Sequence, residues 1–265
     1  MGATRLDIEY DGTGHWGWAA QPGTRTVHGE LARALSTILR TPTTLTVAGR
    51  TDRGVHAVAQ VASYDGELPD LYSLNSVLPD DVAVRRAIDV PGGFDARRDA
   101  TSRTYRFRLF TRREPSPFYR RHSLWWPYPL DEDLLDDCAR TVVGTHDFTA
   151  FTPAETQHVH FRRRIRRALW VRDGEQLDLW IEGDAFLRHM NRILVGTMIE
   201  IAGGRRDPED LPRLLRGARR PEAGITLPPQ GLHLAGVGYA DELGGPALPP
   251  PGWGTAPWAA EVSGG

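Results

Sequence analysis

The chain has 265 residues, 40% of them hydrophobic, and a formal charge of −2 from 32 basic and 34 acidic side chains. That length builds one large domain or two of ordinary size, and the near balance of charge argues against an indiscriminate polyanion binder. Every basic residue is arginine, which excludes lysine Schiff-base chemistry, internal pyridoxal phosphate attachment and a P-loop lysine, and the single cysteine, Cys138, excludes an internal disulfide and a cysteine-rich zinc site.

The arginine excess reads first as genome composition, although the planar guanidinium also suits phosphates and bases. No apolar run reaches the length of a membrane span and no secretory leader is recognisable, so a soluble cytoplasmic protein is expected.

Arg5–Tyr10 alternates apolar and polar residues, the period of a half-buried strand. Asp11-Gly12-Thr13-Gly14 then turns into a loop carrying Trp16, Gly17 and Trp18, whose indoles either pack beneath the loop or face a nucleic acid. Val27 to Arg40 sets Leu31, Leu35, Ile38 and Leu39 at helical spacing. Thr43–Ala48 and Val55–Tyr64 read as strands on either side of a turn with Gly49 and Gly54 at its ends. A short helix at Pro69–Leu78 and a strand at Val82–Val90 complete β-α-β-β-α-β, the ferredoxin-like order.

A second pass follows. Arg103–Phe110 alternates strictly, with Tyr105, Phe107 and Leu109 expected on one face and the arginines on the other. Asp131–Val143 predicts an amphipathic helix whose acidic first turn suits the helix dipole. Ile165–Arg172 and Gln176–Glu182 predict a hairpin about Asp173-Gly174. Phe186–Ala202 predicts a helix with Leu187, Met190, Leu194 and Met198 inward, then a shorter one near Pro208–Gly217 and a strand at Leu232–Tyr239. The expected organisation is an N-terminal α+β half over residues 1–100, a C-terminal α+β half over 101–240, and a flexible Pro/Gly-rich tail over 241–265.

The densest chemistry lies in Gly49-Arg50-Thr51-Asp52-Arg53-Gly54-Val55-His56-Ala57. Asp52 stands between two arginines, and nearby opposite charge favours the ionised form of an acid. A positioned carboxylate serves as a nucleophile or an electrostatic anchor; read locally, the same residue equally closes an Asx-turn. This nine-residue string closely resembles the active-site loop of the TruA-type tRNA pseudouridine synthases.

Further segments extend the resemblance over about residues 5 to 240. Tyr10-Asp11-Gly12-Thr13 with Gly17-Trp18 is similar to the family's opening pattern, although Ala19 stands where glutamine is usual, and His28 replaces another glutamine. Arg103-Thr104-Tyr105-Arg106-Phe107 resembles the family's tyrosine strand, and Phe186 to Gly196, with His189, Met190 and Arg192, resembles its arginine helix. Pro228-Pro229-Gln230-Gly231-Leu232-His233-Leu234 resembles its closing pattern, with Leu227 in place of alanine.

The resemblance implies roles. Asp52 would be catalytic, and Arg192 would pair with it, the guanidinium fork meeting both carboxylate oxygens. Tyr105 would lie against the target base and Leu232 beside it, while Arg50 could fill the stack left by a flipped base. Without the resemblance Tyr105 and Leu232 read as core. Arg162 to Arg167 is the densest basic run; such runs are usually solvated faces, but Arg163 and Arg166 are candidate contacts to an RNA backbone. His146, His158, His160 and His189 raise the question of metal. His158 and His160 share strand spacing with no acidic or cysteine partner nearby, so neither a metal nor a cofactor is expected.

The fold implied is α+β, two ferredoxin-like halves forming a pseudouridine-synthase-type sheet with a central RNA-binding cleft. The activity implied is isomerisation of uridine to pseudouridine at positions 38 to 40 of the tRNA anticodon stem-loop, by a homodimer. That reaction breaks N1–C1′, turns the uracil and rejoins it through C5, with no redox change and no group donor. The aspartate's step stays open among attack at C1′, addition at C6 and deprotonation at C2′. The rival reading is a noncatalytic RNA-binding or RNA-folding protein of the same fold, which would not require Asp52. A glycoside hydrolase would need a second carboxylate, and the sequence identifies none.

Overall fold

In the computed structural model of the protein, which describes residues 2–156 and 158–240, the alternating segments join in one ten-stranded sheet. Its strands are β1 (Ala3–Tyr10), β2 (Thr46–Val47), β3 (His56–Asp65), β4 (Val82–Val90), β5 (Ser102–Phe110), β6 (Leu124–Trp125), β7 (Gly144–Asp147), β8 (Arg162–Asp173), β9 (Gln176–Gly183) and β10 (Leu232–Gly238). The helices are α1 (Val27–Leu39), α2 (Leu71–Val77), α3 (Glu132–Val142), α4 (Met190–Ala202) and α5 (Asp210–Leu214). The expected flexible tail, 241–265, lies outside the described residues.

Strand order is β4-β1-β3-β10-β5-β9-β8-β7, with β2 on β3 and β6 on β5. The same antiparallel order occurs twice. The first β-α-β-β-α-β run lies as β4-β1-β3-β2, and the second as β10-β5-β9-β8. This is the ferredoxin-like arrangement, and the two copies meet where β10 runs parallel to β3, opposing His233 to His56 and Leu234 to Ala57. The other end of that β3 edge receives β2, at Ser63 and Ala62. Sharing the edge leaves β2 only two paired residues, so the strand expected over Thr43–Ala48 is mostly extended chain.

The main core includes Tyr105, Phe107 and Leu109 of β5 together with Leu135, Leu194 and Met198 of the helices, and a smaller cluster holds Trp180 and Ala235. Local chemistry explains the helix ends. Thr26 caps α1 by accepting from Gly29 N–H at 3.2 Å, and the helix stops where Arg40 turns left-handed at φ 55°. Asp131 caps α3 by accepting from Leu134 N–H at 3.1 Å. The last long helix, α4, begins at Met190 rather than Phe186, because His189 holds a left-handed φ of 60° that no α-helix accommodates. Short strands β6 and β7 carry too few residues for periodicity to show. The segment with His158 and His160 is not a strand: β8 begins only at Arg162.

Helix α4 is buried almost all round, and the chain at 224–227 lies directly on it. A Cβ added at Gly196 would sit 2.1 Å from the Ile225 carbonyl oxygen. Leu227 N–H donates to Arg192 O at 3.3 Å in the same seam. Gly196→Ala must push these backbones apart, so a denaturant titration is expected to show a loss of about 1–3 kcal/mol, the usual cost of overpacking. An unchanged midpoint would mean that the two segments separate freely.

At the junction of the halves, the buried His56 and His233 rings stack with centroids 4.8 Å apart. Burial holds both imidazoles below their ordinary pKa, His233 well below. As pH falls through the ordinary histidine value of about 6.5, the unfolded chain therefore binds protons that the folded one resists. Stability present above that pH is lost on acidification. The thermal midpoint should fall between pH 7 and pH 5, with a shallower slope in His233→Gln; an unaltered slope in that variant would remove His233 from the account.

Candidate active site

The loop between β2 and β3 that carries Asp52 is pinned from three directions. From below, Gln60 donates through Nε2 to Gly49 O at 2.8 Å and to the Tyr10 hydroxyl at 3.2 Å, and that hydroxyl lies 2.7 Å from Thr51 Oγ1. Burial, the largest influence, pushes the Tyr10 pKa up to about 12, so its hydroxyl stays protonated within this network. From the N-terminal side, Trp18 N–H donates to Thr51 O at 3.0 Å. Gly17 makes that approach possible: its φ is +93°, and a Cβ there would lie 2.7 Å from Thr51 O.

The third pin is Arg103. Its Nε and Nη2 donate to Ala48 O at 3.0 and 2.8 Å, and the remaining bonds go to Arg97 O at 2.8 Å, Ala100 O at 3.2 Å and Asp184 O at 3.0 Å. Regular β5–β9 pairing puts Arg103 on the same strand face as Tyr105, whereas Arg106 and Arg108 lie opposite. The expectation that all arginines of this strand avoid the tyrosine face is thus corrected for Arg103, which is consumed in binding carbonyls.

Asp52, Arg50, Tyr105 and Leu232 line one cavity of about 1310 Å³. Tyr105 and Leu232 are largely buried there, and Phe186 meets the tyrosine edge-on at 5.0 Å between centroids. Burial first, then Tyr10 and Asp52, raises the Tyr105 pKa, so the phenol is neutral. A second cavity of about 410 Å³ shares Asp52 and Arg50 and adds Arg192.

Arg192 reaches Asp52, but not as a fork. Its Nη1 lies 3.8 Å from Asp52 Oδ2, while Nε donates to Leu227 O at 2.6 Å. Burial lowers the Arg192 pKa and the carboxylate opposes that shift. The expected two-pronged contact is therefore corrected to a single approach, because one edge of the guanidinium is committed to the 227 carbonyl. His189, part of the arginine-helix pattern but given no role from sequence beyond that of a metal candidate, lies 3.6 Å from the same Oδ2 through Nε2. Burial lowers its pKa against the pull of Asp52, which leaves a neutral imidazole. Its left-handed backbone turns it toward the site, and nothing in local periodicity signals that.

Other residues sort differently than expected. Arg163 and Arg166 line neither cavity: Arg163 donates to His160 O and Arg162 O at 3.0 and 2.7 Å, and Arg166 to Thr101 O at 2.8 Å. Arg97 and Arg188 do line the large cavity, as does the exposed Glu155, and sequence reasoning assigned none of them. The two indoles of the tryptophan loop part ways, since Trp18 is 2% exposed and packs beneath the loop whereas Trp16 is 46% exposed. Asp11, His56 and His122 bring ligand-type atoms within 4.8 Å of one another, a cluster drawn from three distant segments. Gly12 N–H already donates to His56 Nδ1 at 3.0 Å and His122 Nε2 lies 3.1 Å from Asp11, so hydrogen bonding accounts for their proximity.

Chemically, the larger cavity offers a carboxylate among arginines above a neutral phenol and apolar Leu232 and Phe186, a slot suited to a planar, polar-edged base. A family described as tRNA pseudouridine synthase matches residues 138–240. The tRNA pseudouridine synthase A of Myxococcus xanthus is 40% identical over 259 residues, covering 95% of this chain and 97% of that one. Its namesake from Methylococcus capsulatus is 38% identical over 244 residues, 90% of each chain. The one from Caldicellulosiruptor bescii is 35% identical over 239 residues, 88% of this chain and 98% of its own. With relatives of this identity aligned along nearly their whole length, the chain belongs to the tRNA pseudouridine synthase family.

Proposed function

We propose that the protein converts uridine to pseudouridine in the anticodon stem-loop of tRNA, as a tRNA pseudouridine(38–40) synthase. The observation that carries the reading is that Asp52, Tyr105 and Leu232, from three distant stretches, line the same cavity, with Arg192 beside the carboxylate. The N1–C1′ bond breaks, C5–C1′ forms, the C5 proton leaves and N1 gains one, so no external reactant enters. Asp52 supplies the carboxylate that engages the nucleotide, and Arg192 with neutral His189 orients it. Tyr105 and Leu232 hold the uracil while it turns, the phenol offering its hydroxyl to the base as hydrogen-bond partner. Arg50 takes the place the flipped base leaves in the stack, offsetting an unstacking cost of a few kcal/mol. Arg163 and Arg166, outside both cavities, are assigned to RNA backbone beyond the reacting nucleotide.

Residues 1–100 and 101–240 act as two halves that close on the RNA, a division supported by the repeated strand order. A cytoplasmic homodimer is proposed as the working form. Among the described residues no helix is long and apolar enough to cross a membrane, and Phe118 and Tyr128 leave broad aromatic surface exposed. A glycosidase reading gains little from Glu155, which no ion pair or hydrogen bond positions among the described residues.

Asp52→Asn is expected to lose about 10⁴-fold or more in single-turnover isomerisation, the scale seen when a reacting group is removed. Its tRNA affinity should stay within several-fold of wild type. Pseudouridine mapped by carbodiimide-dependent primer-extension stops measures the first, and substantial turnover would dismiss Asp52 from the reaction.

Arg192→Ala should lower the single-turnover rate by about 10²–10³-fold, comparable to removing one preorganised donor. The salt slope of binding should stay unchanged, since no phosphate contact is lost. Arg192→Lys recovers only part of the rate, because an ammonium cannot bond the Leu227 carbonyl and face Asp52 in the same geometry. Near-normal turnover at saturating tRNA with a flatter salt slope would make Arg192 a phosphate ligand instead.

A further inference from the structure

The smaller cavity has its own chemistry, distinct from the slot for the reacting base. It lacks Tyr105, Phe186 and Leu232 and adds Trp16, Gln21, Arg53 and Arg192, with Asp52, Arg50 and Arg188 at the boundary it shares with the larger one. Its volume of about 410 Å³ lies within the usual range of ligand pockets, about 300–1,000 Å³.

Three observations define what it would take. First, the Arg53 guanidinium lies 3.7 Å from the centroid of the Trp16 ring, a stacked pair that still leaves the indole 46% exposed. Second, the platform is held in advance. Trp16 N–H donates to Arg25 O at 2.8 Å, and Arg25 is itself clamped by both oxygens of Asp81 at 2.7 Å and by Glu30 at 2.9 Å. Third, the walls carry four guanidinium groups against one carboxylate. Arg192 is tied to Leu227 O and Asp52, but the Arg50 and Arg188 side chains have no hydrogen bond or ion pair among the described residues. An aromatic–guanidinium stack beside uncompensated arginines matches a base joined to a phosphate: stacking tolerates any base, and each free fork donates to a pair of phosphate oxygens.

We propose that this cavity is a subsite for the nucleotide immediately adjoining the reacting uridine, its base continuing the Trp16–Arg53 stack and its phosphate met by Arg188. The shared wall at Asp52 and Arg50 sets the two sites one nucleotide apart. The proposal rests on the RNA substrate proposed above and adds a contact that grips the unwound strand beside the extruded base. It also supplies affinity with no base-edge hydrogen bond, so the neighbouring nucleotide is free to vary in identity.

The test is a binding cycle with the full chain and anticodon stem-loop RNAs carrying a single abasic site immediately 5′ or 3′ of the target uridine. For the wild type, one of the two abasic RNAs should bind about tenfold more weakly, within the 5- to 150-fold span of one base–aromatic stack. Trp16→Leu should lose the same factor on intact RNA and nothing further on the abasic one. Trp16→Phe, which keeps a smaller π face and poses little folding risk, should retain part of the coupling. No penalty at either position in the wild type, or penalties that multiply in both variants, would overturn the subsite. Single-turnover isomerisation in the same samples separates the two readings. RNA bound without pseudouridine formation overturns the proposed function while the cycle still decides the subsite; pseudouridine formation with multiplying penalties overturns the subsite alone.

Discussion

Everything at the site depends on one guanidinium that lines the large cavity yet spends its donors on backbone carbonyls. Arg103 binds the carbonyl of Ala48 just before the Asp52 loop, those of Arg97 and Ala100 in the link between the halves, and that of Asp184 on the approach to α4. One rigid, permanently charged fork with five donors can satisfy carbonyls from three segments where a lysine would reach fewer. The loop, the tyrosine strand and the arginine helix are thereby referenced to a single point. A carboxylate at fixed distance from its partners costs no reorganisation at the moment of reaction, which is how preorganised polar sites obtain most of their effect.

Charge is distributed to the same end. The molecule as a whole is slightly acidic, yet Arg50, Arg53, Arg188 and Arg192 surround Asp52. Many other arginines are spent on internal carboxylates, such as Arg206 on Glu200 and Asp210, or on backbone carbonyls. Arg50 and Arg188, which line both cavities, have no side-chain hydrogen bond or ion pair among the described residues. With basic and acidic side chains nearly balanced, the surface as a whole avoids the indiscriminate binding that a large net positive charge brings. Neutral His189 fits this pattern, since a second full cation so close to Asp52 would compete with Arg192 for the carboxylate.

Much of this was legible in the residues. Alternation predicted β1 and β5 to within two residues, because a strand with one buried face leaves a period of two in its own sequence, and the Asp173-Gly174 turn marked the β8–β9 hairpin. Asp52, Tyr105, Arg192 and Leu232 were singled out by the strings around them, and the fold brings the first, second and fourth to one cavity with Arg192 beside the carboxylate. What escaped were features made by residues distant in sequence or by single backbone angles. Periodicity carries Phe186 to Ala202 as one helix, and only the left-handed His189 breaks it. Strand alternation does give the face of Arg103, but nothing local says that Ala48 O waits opposite. Whether Arg192 spends its Nε on Leu227 depends on how residues 224–227 pass over Gly196, a contact with no counterpart in either segment alone.

The placement of β10 has a consequence for how the protein is made. It is the final strand of the described chain, yet it lies in the middle of the sheet, between β3 and β5. A ribosome adding about 5–20 residues per second completes the Asp52 loop on the order of ten seconds or more before β10 exists. Through that interval the inner edge of β3 at His56 and Ala57 lacks its strand partner, and the two halves have no sheet to join them. Open edges of this kind invite pairing with other chains. The nascent protein is therefore most exposed to chaperones and to misassociation just before its last strand arrives. Insertion of that strand closes the sheet and brings Leu232 to the cavity in one event.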